Sequence, residues 1–127
     1  MKIGTLLSIN AVIAMIFGIG FTFAPAMTLA PYGVELSAAG LHVARLFGAA
    51  LVGYGIITWL LRAADAGAQR SVAIALTVAD ALGTLISAWG VLSGITNALG
   101  WTTVAVYGLL CAGFAMHLLR KPAAAPA

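Results

Sequence analysis

The sequence predicts an all-α integral membrane protein, a bundle of four transmembrane helices that run up-down-up-down. Two observations predict this class. Of the 127 residues, 63% are hydrophobic and only 7% are charged, with a mean hydropathy of +1.11, whereas a soluble domain carries roughly 25% charged residues on its wetted surface. The apolar residues also form four long stretches without the alternation of strands. In lipid, a helix pairs its backbone polar groups within its own segment.

Each predicted span reaches the length of about 20 mostly apolar residues that an α-helix needs to cross a bilayer. The spans cover residues 3–24, 38–61, 71–92 and 98–119. Pro25, Pro31 and Gly33 break the chain after the first span and predict an interfacial loop at 25–36, and Ser37 is predicted to cap the second span. Together the spans predict a single domain at 1–121. Residues 122–127 contain only Pro and Ala and are predicted to form a disordered tail.

The first span has an alternative interpretation as a signal peptide. Lys2 precedes an apolar run, and Ala24-Pro25-Ala26 offers the small residues of a cleavage site. The run is longer than the usual hydrophobic region of a signal peptide. We therefore expect a retained helix, with cleavage as the alternative.

The basic residues predict the orientation of the bundle, since short cytoplasmic loops are enriched in Lys and Arg. If the helices alternate in direction, one side carries Glu35 and no basic loop residue. The other side carries Lys2, Arg62, Arg70, Arg120 and Lys121. Both termini are therefore expected in the cytoplasm.

Polar residues within the spans are candidate functional positions because they are costly in hydrocarbon. Asp80 lies about 15 Å along the third span from Arg70, and Asn10 lies about 12 Å along the first from Lys2, so a hydrogen bond between them is expected. Asp80 either carries protons or cations, or is a structural carboxyl that fixes helix register; we favour the structural role. It shares one helical face, expected to point into the bundle, with Thr77, Thr84 and Ser87.

A second candidate site lies near the opposite side, where Glu35, His42 and Arg45 are expected to form an outer pocket. We expect Arg45 to pair with Glu35 or to extend to the interface. A bridge from Arg45 to Asp80 is the alternative if the helices tilt. The pocket either binds an anionic headgroup or a small acid, or serves as an interfacial polar anchor.

Small residues recur at four-residue spacing and predict close helix packing. We interpret them as contacts inside the bundle, with an oligomer interface as the alternative. The glycines in this group are Gly18, Gly48, Gly53, Gly83, Gly90 and Gly94.

Several functional classes find no support in the sequence. With one cysteine, Cys111, and with His42 and His117 about a membrane thickness apart, no metal-ligand cluster is expected. We find no catalytic set of nucleophile and base, and no glycine-rich phosphate loop. The basic residues are scattered singly, which excludes a nucleic-acid surface. The sequence therefore predicts neither an enzyme nor a cofactor.

Three stretches resemble small bacterial four-helix membrane proteins of the DoxX-like and domain-of-unknown-function type: Ala44–Ala50 (ARLFGAA), Asp80–Gly83 (DALG) and Asn97–Trp101 (NALGW). The resemblance covers nearly the whole chain. It implies a four-helix, multi-pass protein of the bacterial cytoplasmic (inner) membrane and little about activity. Small multidrug resistance transporters are similar in helix number, but carry a glutamate in the first helix, where this chain has Asn10.

The sequence thus favours a protein without catalytic machinery whose surroundings are lipid. We expect a small accessory or interaction subunit that packs against another membrane protein or against its own copies. The alternative is a small oligomeric transporter or channel that uses Asp80 and Asn10 for the passage of protons, cations or small solutes.

Overall fold

The computed structural model describes residues 1–120, so Lys121 and the tail predicted at 122–127 lie outside the described residues. Every regular element in this part of the chain is a helix. In chain order the elements are α1 (Ile3–Phe23), α2 (Pro25–Leu29), a 3₁₀ turn (Ala30–Tyr32), α3 (Ala38–Leu61), α4 (Ala66–Leu92) and α5 (Gly100–Leu119).

Four of these helices are long and apolar enough to span a membrane: α1, α3, α4 and α5 contain 21, 24, 27 and 20 residues. The prediction of an all-helical chain with four such helices is confirmed. Large apolar side chains are exposed on all four, among them Ile16, Leu60, Leu85 and Leu109. Exposed apolar surface on this scale is unfavourable in water and favourable against lipid.

Local capping explains where two of the helices begin. Ser37 caps α3 as predicted, its Oγ accepting a hydrogen bond from the Gly40 N–H at 3.1 Å. The helix α4 begins at Ala66, five residues before the predicted start, because the Asp65 carboxylate accepts from the Ala68 N–H at 3.0 Å. Hydrogen bonds from backbone N–H groups, that of Ala68 first, lower the pKa of Asp65. The predicted loop at 25–36 instead contains α2, which has Pro25 in its first turn.

The helices α1 and α3 form one tightly packed pair that runs in opposite directions. Gly18 lies against the α3 backbone, and a Cβ at that position would come within 2.9 Å of the Val52 nitrogen. A Cβ at Gly48 would lie 2.5 Å from the Thr22 nitrogen. Because real Cβ atoms do not approach this closely, these glycines allow the two backbones to touch.

The helices α4 and α5 form the second pair, also in opposite directions. The ring of Tyr107 on α5 lies against Gly83 on α4, where a Cβ would lie 2.5 Å from Tyr107 Cδ1. Nearer the start of α4, the Cys111 thiol donates to the Thr77 carbonyl at 3.5 Å. Gly83 thus creates the space in which the tyrosine ring fits.

Two of the predicted packing glycines have open space beside them and not a neighbouring helix. Gly53 has no atom within 4 Å of its would-be Cβ, so it faces open space and not a neighbouring helix. Gly94 also has open space and a φ of 75°, and serves the turn after α4. A Cβ at Gly90 would lie 3.7 Å from Thr96 Oγ1, an ordinary van der Waals distance. Spacing alone did not reveal Gly55, where a Cβ would lie 2.8 Å from Met15 Cγ.

A small buried core joins the two pairs at one end of the bundle. Its members come from α1, α4 and α5 and include Leu7 and Phe114, both with 0% exposure. The complete cluster is Leu6, Leu7, Ala73, Leu76, Leu110 and Phe114. We call the adjacent end the basic end, because its hollow is lined by Lys2, Arg62, Arg70, His117 and Arg120.

The α1–α3 contact predicts different effects for two glycines of the same helix. Gly48→Leu should lower the melting temperature in detergent, corresponding to about 1–3 kcal/mol, because the side chain meets the α1 backbone. Gly53→Leu is the matched control, since the space beside Gly53 is open, and it should melt like the parent protein. Equal destabilisation by both variants would show that helix-wide effects, and not the α1–α3 approach, limit stability.

Candidate functional site

A cavity of about 610 Å³ lies between the two helix pairs, beyond the core. Its walls come from all four long helices and from the segment at 29–32, and most lining side chains are apolar. The pairs touch each other at the core but separate further along, which leaves the space open. This volume falls in the usual range of about 300–1,000 Å³ for small-molecule sites.

The connecting segments close the cavity at the end opposite the basic end. Asn97, in the turn between α4 and α5, donates through Nδ2 to the Pro31 carbonyl at 2.8 Å. Its backbone N–H donates to the Tyr32 carbonyl at 2.9 Å. Tyr32 and the neighbouring Thr96 both line the cavity. Two hydrogen bonds from one residue therefore join the helix pairs at this end.

Four polar side chains meet at the end of the cavity nearest the core: Asn10, Tyr54, Asp80 and Tyr107, one from each long helix. Asn10 and Asp80 are each only 3% exposed. The Asn10 Nδ2 group donates to Tyr54 Oη at 2.8 Å, so the amide has a partner in its buried position. Packing of α1 on α3 supplies that partner.

Asp80 is in the opposite situation. Its Oδ2 atom is buried and accepts no hydrogen bond from the described part of the chain. Among residues 1–120, the one other buried side-chain polar atom without a partner is Thr96 Oγ1, and Thr96 lines the same cavity. Buried polar groups are nearly always paired. The two exceptions in the described chain thus lie around a single cavity.

The hydrogen bond predicted between Asn10 and Asp80 is not formed. The prediction matched the depths of two residues along their helices, but α1 pairs with α3, so the Asn10 amide meets Tyr54 first. Tyr54 and Tyr107 were missed because tyrosine in a span is usually assigned to the interface. Their positions near the middle of α3 and α5 were the available signal.

The polar face predicted on α4 divides between two environments. Ser87 lines the cavity with Asp80. Thr77 donates to the Ala73 carbonyl at 2.8 Å, and Thr84 donates to the Asp80 carbonyl at 2.7 Å. These threonines satisfy their hydroxyls on their own helix, so neither of them donates to the Asp80 side chain.

The predicted outer group of Glu35, His42 and Arg45 is not part of this site. All three residues are exposed, and none of them lines the cavity between the helix pairs. The alternative bridge from Arg45 to Asp80 is not formed, because Arg45 lies on the surface while Asp80 is buried.

The basic end carries a separate, shallower hollow of about 1240 Å³. Within the described residues, the basic side chains predicted on the cytoplasmic side all line this hollow, together with His117. They are Lys2, Arg62, Arg70 and Arg120. The Arg62 guanidinium also lies over the Trp59 ring, 3.8 Å from its centroid. Cationic groups and the apolar cavity therefore occupy different ends of the bundle.

Comparison with known proteins gives no assignment: no family model, curated protein or solved structure matches the chain. The resemblance to DoxX-like proteins stays a prediction. Within residues 1–120, no group of three His, Cys, Asp or Glu side chains could hold a metal ion. The chemistry of the site therefore depends on Asp80 and its surroundings.

The Asn10–Tyr54 hydrogen bond predicts a specific loss of stability. Tyr54→Phe removes the acceptor of a buried amide and should reduce the free energy of unfolding by about 1 kcal/mol, measured by thermal melts in detergent. Tyr107→Phe is the control, because its hydroxyl makes no hydrogen bond in the described chain, and it should have a smaller effect.

A double-mutant cycle separates this bond from the packing of the ring. In an Asn10→Leu background, Tyr54→Phe should have little further effect, since the donor is already absent. Additive losses would show that the two side chains are not coupled.

Proposed function

We propose that this protein binds a small lipophilic solute within the membrane, in the cavity between its two helix pairs. The observation that carries the proposal is the buried Asp80 Oδ2 atom, which has no hydrogen-bond partner among residues 1–120 and belongs to a residue that lines that cavity. An unsatisfied polar group in an apolar site is unfavourable. A bound solute that supplies a hydrogen-bond partner to Asp80 would remove this penalty. The cavity would then favour solutes that carry such a group.

The shape of the cavity supports binding more than conduction. Its polar end is closed by the core, in which Leu7 and Phe114 are completely buried. Its other end is closed by the segments that Asn97 joins. A solute can be held here in a space that stays open along its side, where Ile86 and Trp89 are 69% and 68% exposed. An ion pathway, by contrast, would require the core to open. Passage across the membrane, the alternative drawn from the sequence, is thus an extension of binding that needs a conformational change.

The accessory-subunit function expected from the sequence stays a prediction. Exposed apolar side chains cover all four long helices, and contact with lipid already accounts for them. The cavity, by contrast, is a specific feature that lipid contact does not explain. The binding function therefore has the stronger physical support, and it requires no catalytic machinery.

We further propose that the chain lies in a bacterial cytoplasmic membrane with its basic end in the cytoplasm. The cationic side chains gathered around one hollow support this orientation, since cytoplasmic ends carry the excess of Lys and Arg. Both termini are then cytoplasmic, and the turn at Ser93 lies outside.

Binding is tested by filling the cavity. Pyrene, a neutral apolar probe, should bind the full-length protein in mild detergent and appear as an added mass by native mass spectrometry. Ser87→Trp places a large ring in the cavity and should abolish this binding. Leu85→Trp is the matched control, since Leu85 is 68% exposed and lies outside the lining, and it should still bind pyrene. Equal binding by the two variants would contradict the proposed site.

The orientation is tested with single cysteines in a Cys111→Ser background. A membrane-impermeant maleimide should label Ser93→Cys in intact cells, because that turn faces outward. It should label Ala63→Cys, at the basic end, only after the membrane is permeabilised. The reverse pattern would overturn the proposed topology.

A further inference from the structure

We infer that the solute held in the cavity is a lipophilic organic cation whose charge pairs with Asp80. The inference rests on the proposed binding function and specifies the chemical class of the solute. It follows from the charge of the cavity wall, from its aromatic composition and from the position of the unpaired carboxyl.

The described side chains of the cavity wall carry charge of one sign only. Among the described residues that line the cavity, Asp80 is the one acidic residue and none is Lys, Arg or His. Of the basic residues that the structure describes, Lys2, Arg62, Arg70, His117 and Arg120 lie at the basic end, and His42 and Arg45 are exposed. A carboxylate without a counter-charge is strongly unfavourable in a low-dielectric site. A cationic solute supplies the missing charge, which a neutral molecule of the same shape cannot do.

The wall is also rich in aromatic rings. Phe17, Phe21 and Phe47 form a cluster, with the last two in edge contact and their centroids 5.5 Å apart. Tyr54 and Tyr107 add two further rings to the same cavity wall. The faces of aromatic rings attract cations, and organic ammonium ions more than strongly hydrated metal ions benefit from such walls. An apolar wall equally favours an apolar body on the solute.

The carboxyl lies at one end of this wall, and not at its centre. Tyr107 packs on Gly83, one helical turn from Asp80, so its ring stands next to the carboxyl. The unpaired Thr96 hydroxyl lies near Gly90, about 15 Å further along α4 by the helical rise. The cavity therefore favours an elongated or bulky apolar body with its positive charge at the Asp80 end.

Two ions of nearly the same size and shape test the inference. Tetraphenylphosphonium and tetraphenylborate carry four phenyl groups around one central atom, with opposite charge. Equilibrium dialysis against the purified full-length protein should show that the cation binds at least about tenfold more tightly than the anion, equivalent to about 1.4 kcal/mol. Ser87→Trp should abolish binding of the cation.

Substitutions of Asp80 test whether its charge causes the preference for the cation over the anion. Asp80→Asn should remove it, while Asp80→Glu keeps the charge and should retain it. Glu35→Gln is the matched control, because it neutralises an exposed carboxyl outside the cavity, and it should behave like the parent protein. Melting curves identify variants that fail to fold; if Asp80→Asn is among them, Asp80→Ser provides the neutral comparison.

Three results would overturn the inference: no binding of the cation, equal binding of both ions, or a preference that survives neutralisation of Asp80. Pyrene binding then distinguishes a failure of the charge preference from a failure of the proposed binding function. If Ser87→Trp still abolishes pyrene binding, the cavity binds solutes and only the charge preference is wrong. If Ser87→Trp has no effect on pyrene, the binding function itself is wrong.

Discussion

The close approach of α1 and α3 at Gly18 and Gly48 is the contact on which the rest of the structure depends. With almost no side-chain volume between them, the two backbones touch, and Asn10 comes within hydrogen-bond distance of Tyr54. The helix α1 then has only its first turns left to pack against α4 and α5 in the core. The cavity is the space left where two tight pairs separate, in contrast to a bundle packed evenly along its axis.

Within that cavity the protein treats two buried polar residues differently. Asn10 has a partner supplied by its own helix pair, as an apolar environment demands. Asp80 faces the gap between pairs, and the threonine of its next turn donates to the backbone and not to its carboxyl. The fold thus satisfies a buried amide at this depth, and the proposed solute would supply the partner of the carboxyl.

Sequence reasoning found Asn10 and Asp80 but joined them incorrectly. Helical rise gives the depth of a residue in the membrane, and on depth the two are well matched. Depth does not specify which helices are neighbours, and here the tight pairing places α3, with Tyr54, beside Asn10. The same limit applies to Gly48 and Gly53. They lie on one helix in similar sequence surroundings, yet one touches the α1 backbone and the other faces open space.

The sequence by itself determined the number of long apolar helices, the cap at Ser37 and the separation of basic connections from those without a basic residue. These properties depend on residue type and local spacing, and the length and composition that a helix needs to cross a bilayer do not depend on its neighbours. The tertiary structure decided which helices pair, where the cavity opens and that Asp80 Oδ2 has no hydrogen-bond partner within the described residues. The physical reason is that small residues permit close approach without selecting the partner, because lipid offers every apolar face a similar environment. Only the complete set of contacts makes that selection.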